Sequence, residues 1–96
     1  MELDIIWSKK AAYGYAKILN YLDEEWTQRE VENFEHQVNK FLLNLSKRPY
    51  ILKESKVSGL RRGPINRLTI LTYNIDLDKN QLQILNIRGA RQKPLI

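Results

Sequence analysis

The chain has no cysteine and one histidine, His36. Disulfides and thiolate zinc sites are thereby excluded, and one imidazole cannot build a histidine metal cluster. No apolar run approaches the roughly 20 residues that span a bilayer. The opening Met1-Glu2-Leu3-Asp4 lacks the basic and apolar stretches of a signal peptide. A cytoplasmic location and no membrane partner are therefore expected. Gly14, Gly59, Gly63 and Gly89 are scattered, so none of the glycine-rich phosphate cradles is present. Low-complexity segments, repeats and linkers are missing too. Residues 1–96 read as a single domain, small enough that nearly every apolar residue must join one core.

What the chain does have is charge, unevenly placed. Residues 1–45 hold 5 Lys/Arg against 8 Asp/Glu, a net of −3; residues 46–96 hold 11 against 3, a net of +8. Together they make the +5 of the whole chain. A basic excess gathered in one half points to a surface that meets something negative: nucleic acid, a nucleic-acid machine or an acidic protein. The alternative is a solvated basic face that serves solubility alone.

Hydrophobic periodicity divides the chain the same way. Leu3 to Trp7 reads as a strand, and Ser8 as the N-cap of a helix from about Lys9 to Glu24. Behind Ser8, Tyr15, Ile18, Leu19, Leu22 and Trp26 recur at helical spacing. Thr27 precedes Glu30 by three residues, the spacing of a capping box. Val31, Phe34, Val38, Phe41, Leu42 and Leu45 then form the apolar stripe of a second helix, ended before Pro49. So short a link predicts an antiparallel helical hairpin. Leu60-Arg61-Arg62, Arg67–Asp76 and Gln81–Arg88 read as three strands, with a turn at Asp78-Lys79-Asn80 and a stop at Gly89. The order predicts an α+β fold: an N-terminal strand, an antiparallel helical hairpin, then three antiparallel strands. The hairpin covers one face of a mostly antiparallel sheet, and the arginines are expected on the other.

Catalytic candidates are few. His36 falls between the stripe positions Phe34 and Val38 and reads as a surface residue, so no nucleophile–histidine pair is available. Asp23, Glu24 and Glu25 are placed in the inter-helix turn, where the N-terminus of the second helix favours negative charge. Trp7 and Trp26 read as core residues; Tyr50 and Tyr73 stay open between core and binding roles. The basic candidates are Arg61, Arg62, Arg67, Arg88, Arg91 and Lys93, with Lys53 and Lys56 nearby in sequence. Guanidinium groups hold phosphate or carboxylate in bidentate geometry and stay charged at any physiological pH.

Several segments in this order resemble the RelE/ParE superfamily. They are Ile5-Ile6-Trp7-Ser8; Trp26…Glu30-Val31-Glu32-Asn33-Phe34…Leu42…Leu45…Pro49; Leu60-Arg61-Arg62; Leu71-Thr72-Tyr73-Asn74-Ile75; and Arg91-Gln92-Lys93-Pro94. The resemblance implies the toxin of a type II toxin–antitoxin pair, neutralised by a cognate acidic antitoxin. Its target would be DNA gyrase, as for ParE-like members, or the ribosome and its mRNA, as for RelE-like members. The resemblance implies no cofactor, metal or small-molecule substrate.

A RelE-like, metal-independent endoribonuclease needs a base, an acid and cations around the phosphate. By resemblance Arg61 and Arg91 take two of the cationic positions. A second-strand lysine position falls on Gly63, a third-strand basic position near Ile70, and no Tyr or His follows Arg91. Lys53, Glu54 and Lys56 are the substitutes on offer. The acid–base set is incomplete, which tilts the reading towards ParE-like action on gyrase. A non-toxic module that keeps only antitoxin or operator binding is the further alternative.

Overall fold

A computed structural model describes residues 2–56, 59–67 and 69–89 of the chain. Strand β1 (Asp4–Trp7) leads into helix α1 (Lys9–Glu25), and helix α2 (Gln28–Lys47) follows. Strands β2 (Leu60–Pro64), β3 (Thr69–Asp76) and β4 (Gln81–Gly89) complete the fold. Arg67, expected to open the third strand, lies in the turn before it; Gly89 is the last residue of β4 rather than its stop.

Both helices begin where their caps predict. The Ser8 hydroxyl accepts from the Ala11 N–H at 3.0 Å and donates to the Leu85 carbonyl at 3.0 Å. One residue thus caps α1 and ties it to β4. Thr27 and Glu30 form a reciprocal capping box, satisfying two otherwise unpaired N–H groups. Only Trp26 and Thr27 separate the helices, and Tyr15 of α1 stacks on Phe34 of α2 at 6.3 Å. Asp23, Glu24 and Glu25 are not in a turn at the start of α2. They form the exposed last turn of α1, where the helix dipole disfavours negative charge.

The sheet order is β1-β4-β3-β2, with β1 parallel to β4 and the other pairs antiparallel. Ala11, Ile18 and Leu22 of α1 and Val31, Phe34, Val38, Leu42 and Leu45 of α2 share one core with Leu71, Tyr73, Leu82, Ile84 and Ile87. Trp7 and Trp26 pack against this core, as expected. α1 lies close on β4: a Cβ at Gly14 would collide with the Ile87 carbonyl oxygen.

A register shift between Thr72 and Tyr73 controls the far half of β4. Thr72 pairs with Asn86 and Tyr73 with Ile84, so Leu85 is an extra, unpaired residue. Such a bulge reverses the alternation of the strand beyond it. Ile87 joins Leu82 and Ile84 in the core, and Arg88 turns to the opposite face. The hairpin closes through Asn80 at φ 56°, a left-handed conformation that asparagine tolerates. The Asp76 carboxylate accepts from the Lys79 N–H at 3.1 Å.

Tyr15 completes the aromatic contact between Trp7, at 5.4 Å, and Phe34. Its hydroxyl is buried and has no hydrogen-bond partner among the described residues. Burial first, and the Glu35 charge second, push its pKa up to about 12. Folding therefore favours the neutral phenol. The stabilisation is complete below the unfolded value near 10 and is lost as pH rises towards 12. Tyr15→Phe is expected to match or exceed the parent in urea midpoint at pH 7, because no hydrogen bond is forfeited. It should also lose less stability than the parent between pH 10 and 12. A steeper alkaline loss in the variant would refute this account.

Candidate anion-binding face

Cross-strand neighbours share a face of a sheet. Arg61 is paired with Tyr73, and Gly63 with Leu71. Tyr73 and Leu71 are fully buried beneath the helices, so Arg61 lies on the helical side. The expectation that all the arginines occupy the open face is corrected here. Arg62, paired with Thr72, lies on the open face, as does Arg88, paired with Ile70.

The segment after α2 explains what Arg61 does instead. Residues 49–55 cross back over the edge of β2 as a strap. Arg61 Nη1 donates to the Leu52 carbonyl at 2.7 Å, and its guanidinium lies 4.8 Å from the Tyr50 ring centroid. The Tyr73 hydroxyl donates to the Pro49 carbonyl at 2.6 Å. Burial pushes the Tyr73 pKa up; the Arg61 charge and a backbone hydrogen bond at Leu52 oppose the rise. The Arg62 N–H reaches the Lys53 carbonyl at 3.2 Å, and the Ser55 N–H reaches the Leu60 carbonyl at 2.7 Å. Leu52 occupies the space over Gly63, where a Cβ would come within 2.9 Å of its Cδ2. Arg61 and Tyr73 therefore hold the strap, and Tyr50 stays exposed as the partner of Arg61.

On the open face Arg62 and Arg67 border one shallow depression of about 540 Å³, with Ser55, Pro64, Asn66 and Ile70. Arg88 stands across from Ile70 on the next strand. Among the described residues, the depression is lined by two guanidinium groups and by no carboxylate, imidazole, lysine or phenol. Guanidinium donates up to five N–H bonds and does not give up its proton near neutrality. The arrangement can hold an anion, and among the described residues it offers no group suited to take a proton from a hydroxyl. On its helical side Arg67 also borders a cleft of about 560 Å³ with Trp26, Glu30, Phe34, Gln37 and Asn66.

The remaining candidates fall elsewhere. His36 is exposed on α2, as expected. Lys53, Glu54 and Lys56 are exposed and do not line the depression, although Ser55 between them does. Glu54 pairs with Arg61 through an isolated antiparallel backbone bridge, and its carboxylate accepts from the Gly59 N–H at 3.2 Å. Arg91 and Lys93 lie outside the described residues. Arg61 and Ile70, two positions at which the resemblance places cations, face opposite sides of the sheet. Ser55 and Asn66 were missed in the linear reading, because both come from irregular segments that only folding brings beside the arginines.

No family model matches the chain, and no curated protein matches it by sequence. Solved structures do match its shape. A chain of the chromosomal ParDE TA system from P. aeruginosa aligns with a TM-score of 0.76 at 16% identity, covering 92% of this chain and 96% of that one. A chain of the toxin–antitoxin complex RelBE2 from Mycobacterium tuberculosis aligns at 0.64 and 17% identity, covering 93% and 99%. The isolated E. coli RelE toxin aligns at 0.62 and 14% identity, covering 97% and 89%. The resemblance read from the motifs holds at the level of architecture: over nearly its whole length, this chain has the RelE/ParE fold.

Proposed function

We propose that the chain is the toxin of a type II toxin–antitoxin module and acts by binding, through its open arginine face, a negatively charged surface of an essential nucleic-acid machine. The observation that carries this reading is the near-complete overlap with the isolated E. coli RelE toxin and with chains of two toxin–antitoxin systems. Two of the similar structures are toxin–antitoxin complexes, which supports an antitoxin partner. An acidic antitoxin segment fits a face carrying Arg62, Arg67 and Arg88.

Binding without cleavage is favoured by the depression itself. Among the described residues it is lined by cations and by no candidate base or acid. ParE-like action on DNA gyrase is therefore the preferred mechanism over RelE-like cutting of mRNA.

Induction from a tightly controlled promoter should arrest growth, and co-expression of a short neighbouring frame with an acidic tail should relieve the arrest. Purified chain should inhibit supercoiling by gyrase and leave cell-free translation intact. Unimpaired growth on induction would sink the toxin reading. Cut message at ribosomes with unaffected gyrase would sink the gyrase choice and leave the toxin reading standing.

A further inference from the structure

Helix α1 presents a second surface, on the side away from its core contacts. Lys10, Tyr13, Lys17, Tyr21 and Glu24 are all exposed and are spaced by three, four, four and three residues. At 3.6 residues per turn this spacing keeps them within a sector of about 80°. Ala11, Ile18 and Leu22, which are buried, lie on the other side. Tyr13 is 67% exposed and Tyr21 60%. Two aromatic rings on one solvent-facing stripe suit an interface better than open water.

The charge order of the stripe identifies the partner. The first turn of α1 carries Lys9 and Lys10 and no acid; the last turn carries Asp23, Glu24 and Glu25 and no base. Each end is thus charged against the helix dipole, which prefers acids first and bases last. Lys10 and Glu24 are fourteen residues apart, about 21 Å along the axis, too far to neutralise each other within one molecule. A second α1 laid antiparallel on the first removes the conflict at both ends.

We propose that this face of α1 is a self-association surface that pairs antiparallel with α1 of a second copy of the chain. A two-fold axis at Lys17 sets Lys10 opposite Glu24 of the second copy and Tyr13 opposite its Tyr21. The two Lys17 side chains meet near the axis, but each leans towards its own N-terminus, with Nζ 5.3 Å from the Tyr13 ring centroid. In an antiparallel pair that lean carries the two ammonium groups apart. The contact is isologous, so it closes at two copies. A single helix face is smaller than a standard stable interface, so the expected Kd is about 10–100 μM. This inference stands on α1 alone and is independent of the toxin reading.

Sedimentation velocity of the full chain from about 1 to 500 μM tests it, at ionic strengths of about 0.05 and 0.5 M. A monomer–dimer equilibrium that weakens with salt is expected. Lys10→Glu and Glu24→Lys should each weaken it by about tenfold, since each sets like charges together at two symmetry-related places. The combined exchange should return it to within about threefold of the parent, because the pairs are re-formed with signs reversed. Both single changes place charge where the helix dipole favours it, so the folded monomer should persist, which far-ultraviolet circular dichroism checks. A chain monomeric throughout, a dimer indifferent to the single changes, or a double exchange that restores nothing would each overturn the proposal. So would capture of an unlike partner by Tyr13 and Tyr21 in a chain that stays monomeric.

Discussion

Reversing two charges on the open face, Arg62→Glu with Arg67→Glu, should abolish growth arrest on induction. In vitro it should weaken binding to a labelled single-stranded oligonucleotide, used as a polyanion probe, by about 100-fold. Like charges set against phosphate cost several kcal/mol. Neutral variants, Arg62→Ala with Arg67→Ala, should lose less affinity. Their log–log salt slope should fall by about 0.7 for each lost phosphate contact. Both residues are exposed, so the folded state should be little changed. Arg61→Ala supplies the contrast. Its guanidinium is engaged with the Leu52 carbonyl and the Tyr50 ring on the other side of the sheet. That variant should lose about 1–3 kcal/mol of stability, from a hydrogen bond to a charged group and the stacking contact, while the salt slope changes little. Arrest retained by the double reversal, or a full loss of binding in Arg61→Ala with an intact fold, would reassign the site to the second-strand position predicted by resemblance.

Gly14→Ala should destabilise the protein by about 3 kcal/mol, against the intrinsic preference of helices. In an exposed helix interior the same change stabilises by about 1 kcal/mol. Here the added methyl meets the Ile87 backbone carbonyl, which cannot rotate away as a side chain can. α1 must lift from β4, and the loss spreads to Ile18 and Leu22 in the shared core. Since a chain of this length is stabilised by about 5–14 kcal/mol in total, the urea midpoint should fall sharply. Ala12→Gly, at an exposed position of the same helix, should cost about 1 kcal/mol by propensity alone. A Gly14→Ala variant as stable as the parent would mean that α1 sits farther from the sheet than described.

Some parts of the fold are legible in the chain alone. Ser8 and the Thr27–Glu30 pair announce both helix starts, because caps act within three residues of themselves. The stripe from Val31 to Leu45 identifies its buried side because helical periodicity repeats over about four turns. The turn at Asp76–Asn80 is local as well. Strand ends are less legible: the β propensity of its neighbours extends β3 back to Arg67, yet Arg67 sits in the turn that brings it to the depression. The acids Asp23 to Glu25 close α1 rather than form a turn, because propensity does not mark the last turn of a helix sharply.

What the sequence by itself determined is the set of elements, their order, the segregation of basic charge and, through the order of short motifs, the RelE/ParE-like architecture. All of these depend on short-range spacing or on composition. Which arginine faces which way was decided only by tertiary structure. A strand's side chains alternate, so a single extra residue inverts everything beyond it. The bulge at Leu85 returns Ile87 to the core and turns Arg88 outward. Likewise the pairing of Arg61 with Tyr73, rather than with Thr72, commits Arg61 to the strap and leaves Arg62 to the open face. Registers of this kind are set by contacts between residues far apart in the chain, which is why the candidate anion-binding face takes shape only in the assembled sheet.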